Sequence, residues 1–341
     1  MTVLGASLPA LATLTYSCDP NVDTTHAGTC TALNGGSVAG VYGGVFSNVN
    51  ANIYIEYANV GVAQSSFNLT SVTYAQFYAA LAASTDDATA LASLPSASDP
   101  LLSLGNANGN ISVTAALASA INLTANGAQT AGIQADGVTA CTLGSSGCYN
   151  GVIAVYNGPV FYYPVTLSDT TPSNLIDYYS VVEHETDEIL GTISCMASVG
   201  GTAVDQCGAT DASPADLFRY AAAGTRTFLT TSNGTPAYFS IDGGNTLIDT
   251  YINAPNIGDY GDWALAYPYR VQDGEASGGV NLDITNDGGS EVAALHAVGF
   301  NFVVPEPGTL GLLGGGLGML AVLLRRIGRL PGHHRGFKQS A

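Results

Sequence analysis

Residues 180–191, SVVEHETDEILG, contain the side chains best suited to hydrolytic chemistry in this 341-residue chain. On a helix, His184 and Glu188 project from one face because they are four residues apart. An imidazole nitrogen and a carboxylate oxygen are both ligands that zinc accepts. Glu185 lies one step round the helix, where its carboxylate can take a proton from a metal-bound water. The spacing therefore predicts a metal site with His184 and Glu188 as ligands and Glu185 as the catalytic base.

A third protein ligand would complete this site, and the sequence offers several aspartates for it. The segment differs from the motif H-E-x-x-H only by Glu188 in place of the second histidine. In the longer form of that motif a third ligand follows ten residues after the first histidine, where this chain has Ser194, a poor zinc ligand. Asp205, Asp211 and Asp216 are the alternatives. We favour Asp216, because it lies in a short polar insertion, SPADLFRY, before an apolar strand. A turn residue or an ion-pair partner of the neighbouring arginine is the other interpretation of Asp216.

The nature of the metal follows from the donor types. One imidazole with one or two carboxylates suits zinc, and it equally suits manganese, a harder metal. Calcium is an alternative for two acidic loops, DYGDW (259–263) and DITNDGGSE (283–291), although turn formation explains them equally well. The acidic helix could instead be a solvated face, with His184 packed among tyrosines. Acidic groups at a helix C-terminus oppose the helix dipole by roughly 0.3–1 kcal/mol each, which favours a nearby cation.

The distribution of charge excludes one class of partner. The formal net charge is −18, and all but one of the 26 acidic residues precede residue 305, whereas only three of the eight basic residues do. Such a surface repels phosphate backbones, so nucleic-acid binding is excluded. Aromatic residues, including Trp263 and 18 tyrosines, could instead form a surface for stacking on glycans.

The six cysteines lie in three close pairs, which predicts three local disulfides and an oxidising compartment. The simplest pairing joins neighbours along the chain. The alternative is six reduced, partly buried thiols. The pairs are Cys18 with Cys30, Cys141 with Cys148, and Cys195 with Cys207.

Hydrophobic periodicity predicts a mixed α+β domain. Residues 51–66 alternate like strands, with Ile53, Ile55 and Tyr57 on one face, and residues 151–157 and 160–167 form strands, the latter as a hairpin partner or second strand. Residues 72–84 and 111–124 have helical spacing. The acidic helix is predicted over 173–190, capped by Ser173 and ended by the following glycine. A short helix over 290–300 ends at Gly299.

The C-terminal region carries three successive signals. A Pro-Glu-Pro at residues 305–307 precedes an uncharged apolar run from Gly308 to Leu324, which two arginines follow. Seventeen helical residues span about 25 Å, the short end of the range for a bilayer core, and the arginines place that end in the cytoplasm. The three signals resemble the PEP-CTERM sorting signal of Gram-negative surface proteins. That resemblance implies an exosortase-type processing enzyme as a partner and transient anchoring of the chain in the inner membrane.

The N-terminal residues complete the domain organisation. Ala10-Leu11-Ala12 fits the small-x-small rule for signal-peptide cleavage, although no basic region precedes it, so we read residues 1–12 as the end of a signal peptide. The expected order is a partial signal peptide (1–12), an α+β domain (13–303), the sorting signal with its transmembrane helix (304–326) and a basic cytoplasmic tail (327–341). Export across the inner membrane and final display at the cell surface or release are expected.

The body of the chain carries a second resemblance. The segments NANIYIEYANVGVAQSS, VTYAQFYAALAA, EHETDEILG, DLFRY, YFSIDGG, GDYGDW and ALHAVGF follow one another across residues 30–302. This order resembles a family of exported bacterial zincin-like metalloproteases, whose members carry H-E-x-x-H-x-x-G or, as here, H-E-x-x-E-x-x-G. The resemblance implies a zincin-like α+β fold with an active-site helix on which His184 and Glu185 match directly and Glu188 matches by position.

Two functions are therefore expected from the sequence. The first is a surface-sorted metallopeptidase that hydrolyses peptide bonds at a remodelled metal site. Because Glu188 stands in place of the second histidine of the motif, this site can be inactive. The alternative is a non-catalytic protein of the same fold that binds the cell surface or an extracellular polysaccharide matrix. Loss of hydrolysis in Glu185→Gln, with metal retained, would separate them.

Overall fold

Alternating apolar residues build the central sheet. The structure is a computed structural model that describes residues 12–95, 109–123, 130–164, 169–196, 207, 211–228, 236–252 and 259–303. The strands lie in the order β1 (Thr13–Cys18), β2 (Asn50–Ala58), β9 (Gly151–Tyr156) and β3 (Ala63–Ser66). The first three are parallel, and β3 runs antiparallel to β9 at one edge.

The remaining strands form small sheets around the central one. β4 (Leu69–Thr73) pairs with β5 (Asn110–Thr114), and β10 (Phe161–Tyr162) pairs with β11 (Ile176–Asp177). The other two sheets have the orders β7-β6-β8 and β13-β12-β14-β15. Their strands are β6 (Gly132–Gln134), β7 (Ala140–Cys141), β8 (Cys148–Tyr149), β12 (Arg219–Ala222), β13 (Thr225–Arg226), β14 (Tyr238–Phe239) and β15 (Asp249–Thr250).

Eight α-helices lie within the described residues and are mostly short. They are α1 (Pro20–Thr25), α2 (Thr29–Asn34), α3 (Ala39–Val45), α4 (Tyr74–Ser84), α5 (Ala88–Ser93), α6 (Ala115–Ala120), α7 (Tyr178–Asp187) and α8 (Ser290–Val298). A capping box between Thr73 and Gln76 starts α4, and Gly299, with φ 129°, ends α8 as predicted. A 3₁₀ turn covers Ala215–Phe218. Together with the sheets, these helices confirm a mixed α+β fold.

Helix α7 carries the candidate site and packs on the central sheet. It begins later than predicted, at Tyr178, where the Asp177 side chain caps it by accepting from the Tyr179 amide at 2.9 Å. The chain before it cannot be helical, because β11 pairs with β10. After Asp187 the helix widens into a π-helical turn, Glu188–Thr192. The backbone leaves the helical conformation at Gly191, where φ is 125°.

Two further predictions of local structure were wrong in part, and long-range pairing explains both. Residues 111–124 are not one helix, because β5 pairs antiparallel with β4 before α6 begins. For residues 160–167 the second-strand alternative is confirmed in part and the hairpin alternative is wrong, since Phe161 and Tyr162 pair in parallel with β11 and not with β9. In contrast, the alternation in β2 is confirmed, since Ile53 and Ile55 are fully buried.

Three disulfides join neighbouring cysteines, as predicted. They connect Cys18 with Cys30, Cys141 with Cys148, and Cys195 with Cys207. The first fastens the end of β1 to α2, and the third lies just beyond the π-helical turn. Disulfides are typical of oxidising compartments, which agrees with an exported protein.

The chain divides into two units, Met1–Phe302 and Val303–Ala341. Residues 1–11 of the predicted signal peptide and the apolar run from Gly308 to Leu324 lie outside the described residues. In the part of the chain that is described, none of the helices has the length and apolar character needed to cross a bilayer.

Candidate metal-binding site

Three side chains of types that can bind a metal lie close together: His184, Glu188 and Asp262. The first two extend from α7 and the start of the π-helical turn, and Asp262 comes from a loop before Trp263. His184 Nε2 lies 3.8 Å from Glu188 Oε1 and 3.6 Å from Asp262 Oδ1. One ligand atom from each residue lies within 4.8 Å of the other two. A single cation placed between them can contact all three.

The His184 ring is oriented by its second nitrogen. Nδ1 lies 3.0 Å from the Val271 carbonyl oxygen. Since a carbonyl can only accept, Nδ1 carries the proton in this contact and Nε2 faces the two carboxylates. A histidine fixed in this way by a carbonyl is the usual arrangement of a metal ligand.

Asp262 is held in a turn with a second aspartate. The Asp259 amide donates to Asp262 Oδ2 at 2.9 Å, and the Asp262 amide donates to Asp259 Oδ1 at 3.2 Å. Gln272 Nε2 donates to Asp262 Oδ1 at 3.1 Å and lies 3.5 Å from His184 Nε2. These contacts fix Oδ1 towards the histidine.

Glu188 and Glu185 form the other wall of the site. The Ser65 hydroxyl, from edge strand β3, donates to Glu188 Oε2, which leaves Oε1 facing His184. Glu185 is buried beside this pair, with 7% of its surface exposed. Burial raises the pKa of Glu185 well above its usual range, and the neighbouring Glu188 raises it further.

The electrostatics of the site show a shortage of positive charge. Burial raises the pKa of Asp259 to about 8 and that of Asp262 to about 6, and it also raises the pKa of Glu188. Burial alone would lower the pKa of His184, but the surrounding carboxylates outweigh it and raise that pKa to about 10. A divalent cation would compensate the same charges and replace the histidine proton, so the donor set fits a zinc or manganese ion.

A cleft of about 860 Å³ opens onto these side chains. Residues 62–65 of the β3 edge line one side, and residues 269–271 and 273–277 line another. His184, Glu185, Glu188 and Asp262 all contribute to its lining. A bound molecule can therefore reach the candidate ligands and base from solvent.

Asp216, the third ligand favoured from the sequence, does not belong to this group of three. Its carboxylate is fully buried and accepts three hydrogen bonds elsewhere: from Ser194 Oγ at 2.6 Å, from the Cys195 amide at 2.8 Å and from the Ser213 amide at 2.8 Å. Both carboxylate oxygens are thus used in binding the segment that follows the π-helical turn. This arrangement matches the turn interpretation of Asp216.

Of the other two aspartates considered for this role, one lies within the described residues, and it lies elsewhere. Asp211 accepts from Ser112 Oγ at 2.8 Å, and Asp205 lies outside the described residues. Sequence reasoning did single out the loop 259–263, but as a calcium-binding stretch and without linking it to His184. The available signal was a pair of aspartates three residues apart, separated by Tyr260 and Gly261, which suits a tight turn with converging carboxylates.

One alternative drawn from the sequence is wrong, and a second is wrong as far as it concerns Trp263. The acidic helix is no solvated face, because Glu183 and Asp187 are fully buried. Trp263 is 2% exposed and its indole N–H donates to Glu291 Oε1 at 2.8 Å, so it cannot stack on a surface glycan. In the second acidic loop, Asp283 accepts from Thr285 and other groups of its own turn.

Comparison with known proteins identifies one segment. The PEP-CTERM protein-sorting motif matches residues 303–327. No curated protein and no solved structure matches the chain. The motif marks an exported protein that is sorted to the cell surface through a membrane-anchored stage, and it is a recognition signal for exosortase processing. The prediction of a sorting signal is confirmed.

Proposed function

We propose that this surface-sorted protein is a metal-dependent peptidase, with His184, Glu188 and Asp262 as ligands of a zinc or manganese ion and Glu185 as general base. Asp262 takes the place that the sequence alone assigned to Asp216. The observation that supports this proposal is the convergence of one imidazole and two carboxylates within 4.8 Å at the wall of an open cleft.

The proposed chemistry assigns a role to each side chain. A divalent cation supplies polarisation of a carbonyl and a lowered pKa for water. Val271 and Gln272 orient the His184 ring, and Ser65 and Asp259 orient the two carboxylates. Glu185, buried beside them, would accept the proton of the attacking water and pass it to the leaving amine. Burial and the neighbouring Glu188 favour the neutral form of Glu185, and a divalent cation at the site would favour the ionised form that a general base needs.

The shape of the cleft favours an extended peptide as substrate. Strand β3 lies at the edge of the central sheet and borders the cleft. An edge strand can pair with an added peptide strand through main-chain hydrogen bonds. Ser65 of this strand also contacts Glu188, so a peptide paired with β3 would pass directly beside the proposed ligands.

Metal content is the first test. We expect about one equivalent of zinc or manganese in the protein exported to the periplasm and purified without chelator, and less than a tenth of that in His184→Ala and Asp262→Asn. Glu185→Gln should keep the metal and lose peptide hydrolysis at least about a hundredfold. Folding of each variant is checked by circular dichroism. A folded wild-type protein that holds no metal and cleaves no peptide would contradict the proposal.

A further inference from the structure

We propose that the cleft selects peptides with a lysine or arginine side chain, and that Asp273 recognises this cation. The inference rests on the proposed function, because it assigns a substrate class to the same cleft. It concerns residues that no step of the hydrolysis uses.

The lining of the cleft is strongly acidic. Seven carboxylic acids line it, against one arginine and one histidine among the described residues. A bound divalent cation would leave the acids in excess. The acidic residues are Asp177, Glu185, Glu188, Asp259, Asp262, Asp273 and Glu275.

The one arginine of this lining is already engaged. Arg270 Nε donates to Asp249 Oδ2 at 2.9 Å, and its Nη1 donates to the Asp287 carbonyl oxygen. Two of the five N–H donors of this guanidinium are therefore used within the protein, and its position is fixed by them. Arg270 is thus held by acceptors of the protein itself, and the excess of carboxyl groups along the described lining favours a cationic over an anionic side chain.

Asp273 has an unsatisfied oxygen. The side chain is buried, at 5% exposure, and its Oδ2 accepts from the Arg270 amide at 2.9 Å. Its Oδ1 is buried and has no hydrogen-bond partner in the described part of the chain. Leaving a buried acceptor unpaired is costly. Because Asp273 lines the cleft, a rotation of its side chain would let an ammonium or guanidinium group from a bound peptide supply the missing donor.

Asp273 is also close to the proposed metal site. A Cβ atom added to the next residue, Gly274, would lie 3.2 Å from Asp262 Oδ2. The backbone that carries Asp273 therefore abuts a proposed ligand. Burial raises the pKa of Asp273 to about 7, so a cation beside it would favour the ionised form. Glu275, exposed two residues further on, adds a second carboxyl group along the same wall.

The test uses quenched fluorescent peptides that differ at one position, which holds lysine, arginine, citrulline, glutamine or glutamate. For wild type we expect kcat/KM for lysine and arginine to exceed that for glutamine and citrulline at least about tenfold. Asp273→Asn should reduce this ratio to below about threefold, and Glu275→Gln should reduce it by a smaller factor. Glu56→Gln, which lies on β2 and does not line the cleft, is the matched control and should keep the wild-type ratio.

Binding measurements separate this inference from the proposed function. Fluorescence anisotropy of the same peptides with Glu185→Gln should show tighter binding of the lysine peptide, and the added change Asp273→Asn should remove that preference. If the wild-type protein cleaves none of the peptides and the tighter binding of the lysine peptide is still seen, the peptidase proposal fails and the cationic selectivity stands. If peptides are cleaved or bound with equal preference for lysine and glutamine, or if neither Asp273→Asn nor Glu275→Gln changes the preference, the inference is overturned.

Discussion

Replacing Asp216 by asparagine should destabilise the protein without removing its metal. The Asp216 carboxylate accepts hydrogen bonds from the amides of Cys195 and Ser213 and from the hydroxyl of Ser194. In Asp216→Asn, the amide oxygen can keep the two backbone donors, and Ser194 can rotate to accept from the new NH₂ group. The hydrogen bonds around residue 216 are kept, and the negative charge of the carboxylate is lost.

The size of the effect follows from the number of bonds. A hydrogen bond to a charged acceptor contributes about 1.5–3 kcal/mol, and a neutral one contributes about 0.5–1.5 kcal/mol. Three bonds that each lose about 1 kcal/mol lower the free energy of unfolding by about 3 kcal/mol. For a domain of this size, that corresponds to a fall in Tm of roughly 6–10 °C.

The assay combines urea unfolding, followed by circular dichroism, with elemental analysis of the folded fraction. Asp262→Asn is the matched comparison, since it makes the same chemical change at a proposed ligand. We expect Asp216→Asn to be less stable with full metal content, and Asp262→Asn to lose metal. A stable Asp216→Asn protein that has lost its metal would refute this assignment and restore Asp216 as a ligand.

Three further predictions follow from the helix that carries the site. Glu188→His should tighten zinc binding by about tenfold or more, because an imidazole nitrogen is the stronger zinc donor. Competition with a chromogenic chelator measures this affinity, and an unchanged value would count against Glu188 as a ligand. Tyr42→Phe removes a hydroxyl that donates to Asp187 Oδ1 at 2.5 Å, so the free energy of unfolding should fall by about 1–3 kcal/mol. Urea titration measures this change, and an unchanged unfolding midpoint would argue against the hydrogen bond. Burial raises the pKa values of Glu183, Asp187 and Glu291 well above 3.8–4.5, so the folded state binds more protons than the unfolded state. With EDTA present, stability should therefore fall as the pH rises from about 5 to about 8, and a rise over this range would contradict the pKa shifts.

Local patterns were sufficient where neighbours along the chain decide the structure. The alternation of Ile53 and Ile55 predicted β2, and Gly299 marked the end of α8, since left-handed backbone at a helix end favours glycine. The short spacing of the cysteines also predicted their pairing. In each case the determining contact lies within about a dozen residues along the chain, or the pattern reflects burial directly.

Contacts between distant segments account for what the sequence could not predict. Helical spacing over 111–124 did not reveal that β5 pairs with β4, and the signal for a cap at Ser173 did not reveal the pairing of β11 with β10. The same reason explains why the sequence did not point to Asp262 as the proposed third ligand. Asp262 reaches His184 only because the loop before Trp263 packs back onto α7, whereas Asp216 was closer in sequence and lies among unrelated donors.

The local disulfides bear on how the chain matures after export. The paired cysteines are separated by only 12, 7 and 12 positions, and no pair encloses another. A chain that crosses a membrane from its N-terminus exposes both members of each pair before the first member of the next. Oxidation in order of emergence then gives the native connectivity, because closing a short loop costs less entropy than closing a long one. This protein should mature with an oxidase alone and be insensitive to loss of a disulfide isomerase.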